Sequence, residues 1–200
     1  MAAPKKVGVG VIGAGEISEI YLTNMTRTFS ILNVVGVSDL IPERSAHRAQ
    51  QFSLRQMTNE EIFNDPEIEI VVNLTNPWAH YEVTKQALLA GKHVYSEKMM
   101  AIRLEEGKEL FNLSREKELL YTVAPDTFLG AGAQTVRKLI DSGMIGEVVS
   151  FNAVVTTSYQ CCFEDNAYNP VHIFRAGGGI PFDMGGYYLH HLINCLGPVS

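Results

Sequence analysis

Gly13-Ala14-Gly15-Glu16-Ile17-Ser18 follows the apolar run Val7–Ile12 and opens a segment with helical periodicity. Glycines in that order after a strand suit a phosphate. The first permits a tight turn, and the second lets a diphosphate approach the backbone at a helix N-terminus, where amide groups point outward. Ser18 stands where a third glycine usually lies and is small enough for close helix–strand packing. Glu16 and Ile17 share this turn and are counted with the cofactor contacts. Asp39 closes the second strand-like run, residues 33–38, where it is placed to accept hydrogen bonds from a ribose diol. Leu40 and Ile41 follow with no adjacent arginine for a 2′-phosphate, so NAD is expected over NADP. Gly-x-Gly alone also marks ordinary turns; strand, helix and terminal Asp together carry the dinucleotide reading.

Two further clusters end strand-like runs. Asn73-Leu74-Thr75-Asn76-Pro77 precedes Trp78, Ala79 and His80. Polar residues and a proline at the carboxyl edge of a parallel sheet face the ligand crevice, so Thr75, Asn76 and Pro77 are candidate cofactor contacts. Asn-Pro also starts turns, and Thr75 also suits a helix cap. His80 reads as a structural histidine near a helix start before it reads as a catalytic base, and it is counted with the cofactor contacts. The third cluster, Gly91-Lys92-His93-Val94-Tyr95-Ser96-Glu97-Lys98, brings an acidic and a basic residue to a strand end.

The elements that must position these residues alternate. Strand-like runs at Val7–Ile12, 33–38, Leu54–Gln56, Glu69–Leu74, His93–Ser96 and Leu119–Val123 are separated by helical patterns. Those patterns lie at Glu16–Thr28, Pro42–Phe52, Asn59–Asn64, Ala79–Ala90 and Leu104–Lys117. Such alternation predicts βαβ units, a parallel sheet and right-handed crossovers: a doubly wound α/β Rossmann domain over residues 1–124. Beyond Ala124-Pro125 the pattern changes. A helix is predicted over Phe128–Ser142, a long strand over Glu147–Thr157, and an amphipathic helix over Asp183–Leu196. Residues 125–200 thus read as the start of an α+β sheet domain. That domain is expected to be truncated, since one strand cannot satisfy its own edges.

The bulk composition narrows the function classes. Of 200 residues, 46% are hydrophobic and 19% charged, and 16 basic against 22 acidic residues give a net charge of -6. An acidic chain argues against nucleic acid or an anionic membrane as main partner. No apolar run reaches the ~18 residues of a membrane span, and the opening residues are not expected to be a signal peptide. The three cysteines, Cys161, Cys162 and Cys195, make a poor disulfide framework and suit a reducing cytoplasm. With His172 they lack zinc-ligand spacing, so no metal is expected.

Taken together the motifs resemble a known family. Gly-x-Gly, Asn-x-Thr-x-Pro-x-x-His and Gly-Lys-His-Val-x-x-Glu-Lys are followed by Ala-Pro-Asp-Thr-Phe-Leu-Gly at 124–130 and Gly-Gly-Gly-x-x-x-Asp-Met-Gly at 177–185. That order is similar to the glucose–fructose oxidoreductase/inositol dehydrogenase/MocA family. The resemblance implies a Rossmann domain joined to an open-faced sheet domain that often makes a homo-oligomer interface. It implies NAD-dependent hydride transfer at a secondary alcohol of a sugar, cyclitol or related polyol. A glycosidase-type hydrolase using transient oxidation, or a shortened non-catalytic dinucleotide binder, are alternatives. The active-site lysine maps onto Lys98 and its neighbour Glu97 joins the cofactor site. Asp183 and Tyr187 complete the catalytic set; at i, i+4 they are expected to share a helix face. The family usually reads Glu-Lys-Pro, often with a cis proline, where this chain has Met99. A cis bond before Met costs ~2.5–4 kcal/mol against about 0.5–1 before Pro, so a trans loop is expected.

Overall fold

The computed structural model describes residues 5–154, 156 and 178–198. The chain divides into two compact units, Met1–Ala124 and Pro125–Ser200.

In the first unit, six strands alternate with five helices. The strands are β1 (Val7–Ile12), β2 (Leu32–Ser38), β3 (Arg55–Gln56), β4 (Ile70–Asn73), β5 (His93–Ser96) and β6 (Tyr121–Val123). The helices are α1 (Ser18–Arg27), α2 (Pro42–Phe52), α3 (Asn59–Asn64), α4 (Pro77–Leu89) and α5 (Leu104–Glu116). All pairings are parallel, in the order β3-β2-β1-β4-β5-β6. Strand order therefore reverses between β1 and β4, and in such sheets ligands bind beyond the strand carboxyl ends at that switch.

Period-two alternation sends neighbouring side chains to opposite faces. Ile12 and Val71 pack with Ile62 of α3, Val83, Ala87 and Leu88 of α4 and Leu110 of α5. Val9, Val11 and Val72 pack with Leu22 and Met25 of α1 and Ala49 of α2. Both faces are thus covered, which is why these strands are continuously apolar. The β1–β2 register shifts between Val9, opposite Val34, and Gly10, opposite Gly36. That bulge puts Val35 and Val37 in different clusters although they are two residues apart. Helix starts follow the chemistry of their first residues: Pro42 and Pro77 occupy early positions, and Thr58 with Glu61 forms a capping box on α3.

The second unit contains a 3₁₀ turn (Thr127–Leu129), α6 (Ala131–Asp141), a short helix Ile180–Asp183 and a longer one, Gly185–Leu196. Arg137 of α6 donates to the Asn194 carbonyl, and the Phe128 and His190 rings lie 6.2 Å apart. Two expectations are corrected here. Residues 147–154 and 156 form no strand, and Val149 and Val154 are exposed; a strand needs a partner for its amides and carbonyls, and none is present among the described residues. The single helix expected over Asp183–Leu196 is broken at Met184, so Asp183 ends one helix and Tyr187 lies in the next. Cys161, Cys162 and His172 lie outside the described residues. Among the described residues no helix is long and apolar enough to cross a membrane, and no cluster of His, Cys, Asp or Glu could hold a metal ion.

Candidate functional site

The carboxyl end of β1 turns sharply at Gly13, whose φ is +108°. A Cβ there would lie 2.5 Å from the carbonyl carbon and oxygen of Leu74, so only glycine fits. Backbone and carboxylate hold the turn from β2. Gly13 N–H donates to the Ser38 carbonyl at 2.8 Å, and Ala14 N–H donates to Asp39 Oδ2 at 2.7 Å. A Cβ on Gly15 would meet nothing within 4 Å. No side chain caps α1, whose N-cap position is Ile17. Glu16 and Ile17 are exposed on the same turn. A turn closed on its Gly13 side and open on its Gly15 side, ahead of a helix that no side chain caps, fits the diphosphate of a dinucleotide.

Asp39 stands half-buried just past β2, with Oδ1 accepting the Ile41 N–H at 2.8 Å. Its carboxylate therefore braces the glycine turn as well as presenting acceptor lone pairs at the strand end.

The buried side chain of Asn73 organises the next stretch. Its Nδ2 donates to the His80 carbonyl and to Thr84 Oγ1, both at 3.1 Å. Its Oδ1 accepts from the Thr75 N–H at 3.2 Å and the Thr75 hydroxyl at 2.6 Å. Its backbone carbonyl accepts the Glu97 N–H at 2.8 Å, hanging the loop after β5 on the end of β4. Thr75, Asn76 and Pro77 thus lie beside the glycine turn, with Asn76 exposed and Pro77 in the first turn of α4. The sequence reading quoted Asn73 without seeing this role. A polar residue closing an apolar buried strand was the available signal, since such a group needs partners.

His80 takes the structural of the places expected for it. Its ring is 1% exposed, with Nδ1 2.7 Å from the Met99 carbonyl and Nε2 2.8 Å from the Thr75 carbonyl. Both ring nitrogens are committed to backbone, so the geometry replaces the expected cofactor contact with a brace between two loops. Burial holds its pKa below the ordinary value, against the pull of the two carbonyls. The folded chain then binds this proton less readily than the unfolded chain. The stability contributed is complete above about pH 6.5 and is lost as pH falls below it. The melting temperature is therefore expected to fall on acidification from neutrality, with a shallower slope in His80→Gln. Equal slopes would remove His80 from the acid response.

Glu97 and Lys98 lie half-buried just beyond β5. Glu97 Oε1 accepts the Tyr21 hydroxyl from α1 at 2.8 Å, and Oε2 accepts the Lys98 N–H at 2.9 Å. Burial and the Glu97 carboxylate push the Tyr21 phenol above its ordinary value. The Lys98–Met99 peptide is cis, correcting the expected trans loop. Tyr21 thus ties the glycine-turn helix to the lysine loop, a link no local pattern reveals, because the two residues are 76 apart in the chain. Asp183 and Tyr187 belong to the second unit, half-buried on its last two helices.

Comparison with known proteins agrees with this architecture. The model of an oxidoreductase family with an NAD-binding Rossmann fold matches residues 7–125. An inositol 2-dehydrogenase/D-chiro-inositol 3-dehydrogenase of Lactiplantibacillus plantarum is 31% identical over 153 residues, 74% of this chain and 43% of the relative. A scyllo-inositol 2-dehydrogenase (NADP(+)) of Bacillus subtilis is 27% identical over 199 residues, 96% of this chain and 52% of the relative. The crystal structure of myo-inositol dehydrogenase from Lactobacillus casei in complex with NAD(H) and myo-inositol is 26% identical. It superposes with a TM-score of 0.67 over 70% of this chain and 43% of that one. The chain spans about half, or less, of the length of these relatives. With the family model covering more than half of its residues, the chain belongs to the glucose–fructose oxidoreductase/inositol dehydrogenase/MocA family of oxidoreductases with an NAD-binding Rossmann fold.

Proposed function

We propose that this chain carries the cofactor site of a dehydrogenase acting on a secondary alcohol of a sugar, cyclitol or related polyol, with NAD preferred to NADP. The observation that carries the reading is the convergence of the Gly13–Ser18 turn, Asp39 and the Glu97–Lys98 loop at the carboxyl ends of adjacent parallel strands. NAD, when bound, supplies the hydride acceptor, the chemistry that side chains lack. The amides of the turn that leads into α1 hold the diphosphate. Asp39 accepts from the ribose diol and disfavours a 2′-phosphate by charge. Lys98 holds the substrate oxygen and stabilises negative charge developing on it. Asp183 and Tyr187 serve as the proton-transfer pair. The hydrolase alternative finds no support among the relatives, which are dehydrogenases. A cytoplasmic setting and a homo-oligomer formed through the second unit complete the proposal.

Calorimetric titration with NAD and NADP, followed by a polyol panel read by NADH absorbance, tests it. NAD is expected to bind at least about tenfold tighter than NADP, the worth of one unfavourable charge contact near 1.4 kcal/mol. Equal affinities would overturn the preference; absence of NAD binding would overturn the whole reading. Asp39→Ala removes the ribose acceptor and leaves the Ala14 N–H without its partner, so NAD affinity is expected to drop about tenfold. Unchanged affinity discards the ribose assignment.

A further inference from the structure

Behind the glycine turn lies a cation that the proposed chemistry does not use. Arg48 extends from α2 and is 9% exposed. Its Nε donates to Ser18 Oγ at 3.1 Å, and its Nη1 donates to Glu19 Oε2 at 3.0 Å and Gln51 Oε1 at 2.7 Å. Its Nη2 donates to the Gly15 carbonyl at 3.4 Å. Ser18 also donates to that carbonyl, through its hydroxyl at 2.5 Å and its N–H at 3.2 Å. One carbonyl thus collects three donors, and one of them belongs to a guanidinium.

The consequence follows from the geometry of a peptide unit. The Gly15 carbonyl and the Glu16 N–H are two ends of one planar group. Donors gathered on the oxygen polarise that group and strengthen its N–H as a donor. They also fix its direction, since Arg48 is itself held by Glu19 and Gln51. A buried cation is costly unless paired, and among the described residues the carboxylate hydrogen-bonded to it is that of Glu19, whose side chain is 56% exposed. An anion arriving at the turn improves that balance.

We infer that Arg48, acting through Ser18 and the Gly15 carbonyl, is a positioning residue for the dinucleotide's diphosphate: it aims and polarises the Glu16 amide from behind the turn. This rests on the dinucleotide reading and adds a specific site of control to it. Ser18, in the third-glycine position, is then a relay as well as a small packing residue.

The test compares ligands with and without the diphosphate on the purified chain. NAD is titrated directly, and ADP-ribose and adenosine are competed against bound NADH. Arg48→Met is expected to lose about tenfold in affinity for NAD and ADP-ribose, as for one charge-assisted hydrogen bond, and less than about twofold for adenosine. Arg48→Lys, which keeps the charge without the fork, regains part of that loss. In the cofactor-free protein the Glu16 amide proton of Arg48→Met moves upfield in a nitrogen-15 correlation spectrum. Equal losses for all three ligands would show a merely structural arginine and overturn the inference, as would unchanged NAD affinity. Should Arg48→Met fail to fold, Ser18→Ala removes the hydroxyl arm of the bridge, leaves the direct Nη2 bond, and is expected to show the same ligand pattern with a smaller loss. Failure of the wild-type chain to bind NAD is a separate outcome, which sinks the dinucleotide reading and this inference with it.

Discussion

Gly13→Ala is expected to lower the melting temperature by roughly 10 °C and to abolish NAD binding, whereas Gly15→Ala loses the cofactor and keeps the fold. The two glycines are two residues apart yet face different surroundings. At Gly13 the φ of +108° is one that a side chain adopts only at a cost of about 1–3 kcal/mol. The added methyl would also sit 2.5 Å from the Leu74 carbonyl, which is backbone held in place by its own bond from Leu74 N–H to the Ile12 carbonyl at 2.7 Å. Neither side can yield without parting β1 from β4 at the sheet's centre, so a total above about 3 kcal/mol is expected. At Gly15 the methyl meets no protein atom within 4 Å. Stability is therefore retained, but the methyl fills the side from which a diphosphate approaches, and at least about tenfold of NAD affinity should go. Thermal melts followed by circular dichroism and NAD titrations read the two effects separately. A Gly13→Ala chain that melts with the wild type would refute the packing argument. A Gly15→Ala chain that binds NAD undiminished would move the diphosphate off this turn.

The sequence exposed the first unit's fold well because its signals are local. Apolar runs alternating with helical stripes, prolines at helix starts and a glycine pair after a strand each depend on a few consecutive residues. The cofactor turn was legible for the same reason. What stayed hidden joins residues far apart in the chain. Nothing in the residues around Arg48 marks it, and only the packing of α2 against the turn brings it to Ser18 and Gly15. His80 left two readings open, because a histidine near a crevice motif is equally consistent with reaching inward or outward; two carbonyls from separate loops favour the structural one. The strand expected over Glu147–Thr157 had the right residue types and nothing to pair with among the described residues. β-propensity describes fit to a neighbouring strand, and without the neighbour it predicts little.

The loop that bears Lys98 is fixed by its backbone and by its neighbours, and this sets the expected result of Lys98→Ala. Glu97 N–H is anchored on the Asn73 carbonyl at 2.8 Å, the Glu97 carboxylate joins the Tyr21 hydroxyl to the Lys98 N–H, and the Met99 carbonyl lies 2.7 Å from His80 Nδ1. Each of these contacts runs through backbone or through the Glu97 carboxylate. Removing the side chain beyond Cβ should therefore leave both the loop and the glycine turn in place, with NAD affinity within about twofold of wild type. Turnover should behave otherwise. If the ammonium holds the substrate oxygen while charge develops on it, its loss costs about 10²–10⁴-fold in kcat/KM for the polyol, the range typical of a positioned acid–base group. Lys98→Arg keeps the charge but spreads it over a larger planar group, so recovery should be partial. Turnover of Lys98→Ala within about tenfold of wild type would exclude the lysine from the chemistry. A parallel loss of NAD affinity would instead assign it to the cofactor. The separation of turnover from affinity is the informative quantity, because the Glu97 N–H, the Glu97 carboxylate and the Met99 carbonyl hold the loop through groups that Lys98→Ala keeps.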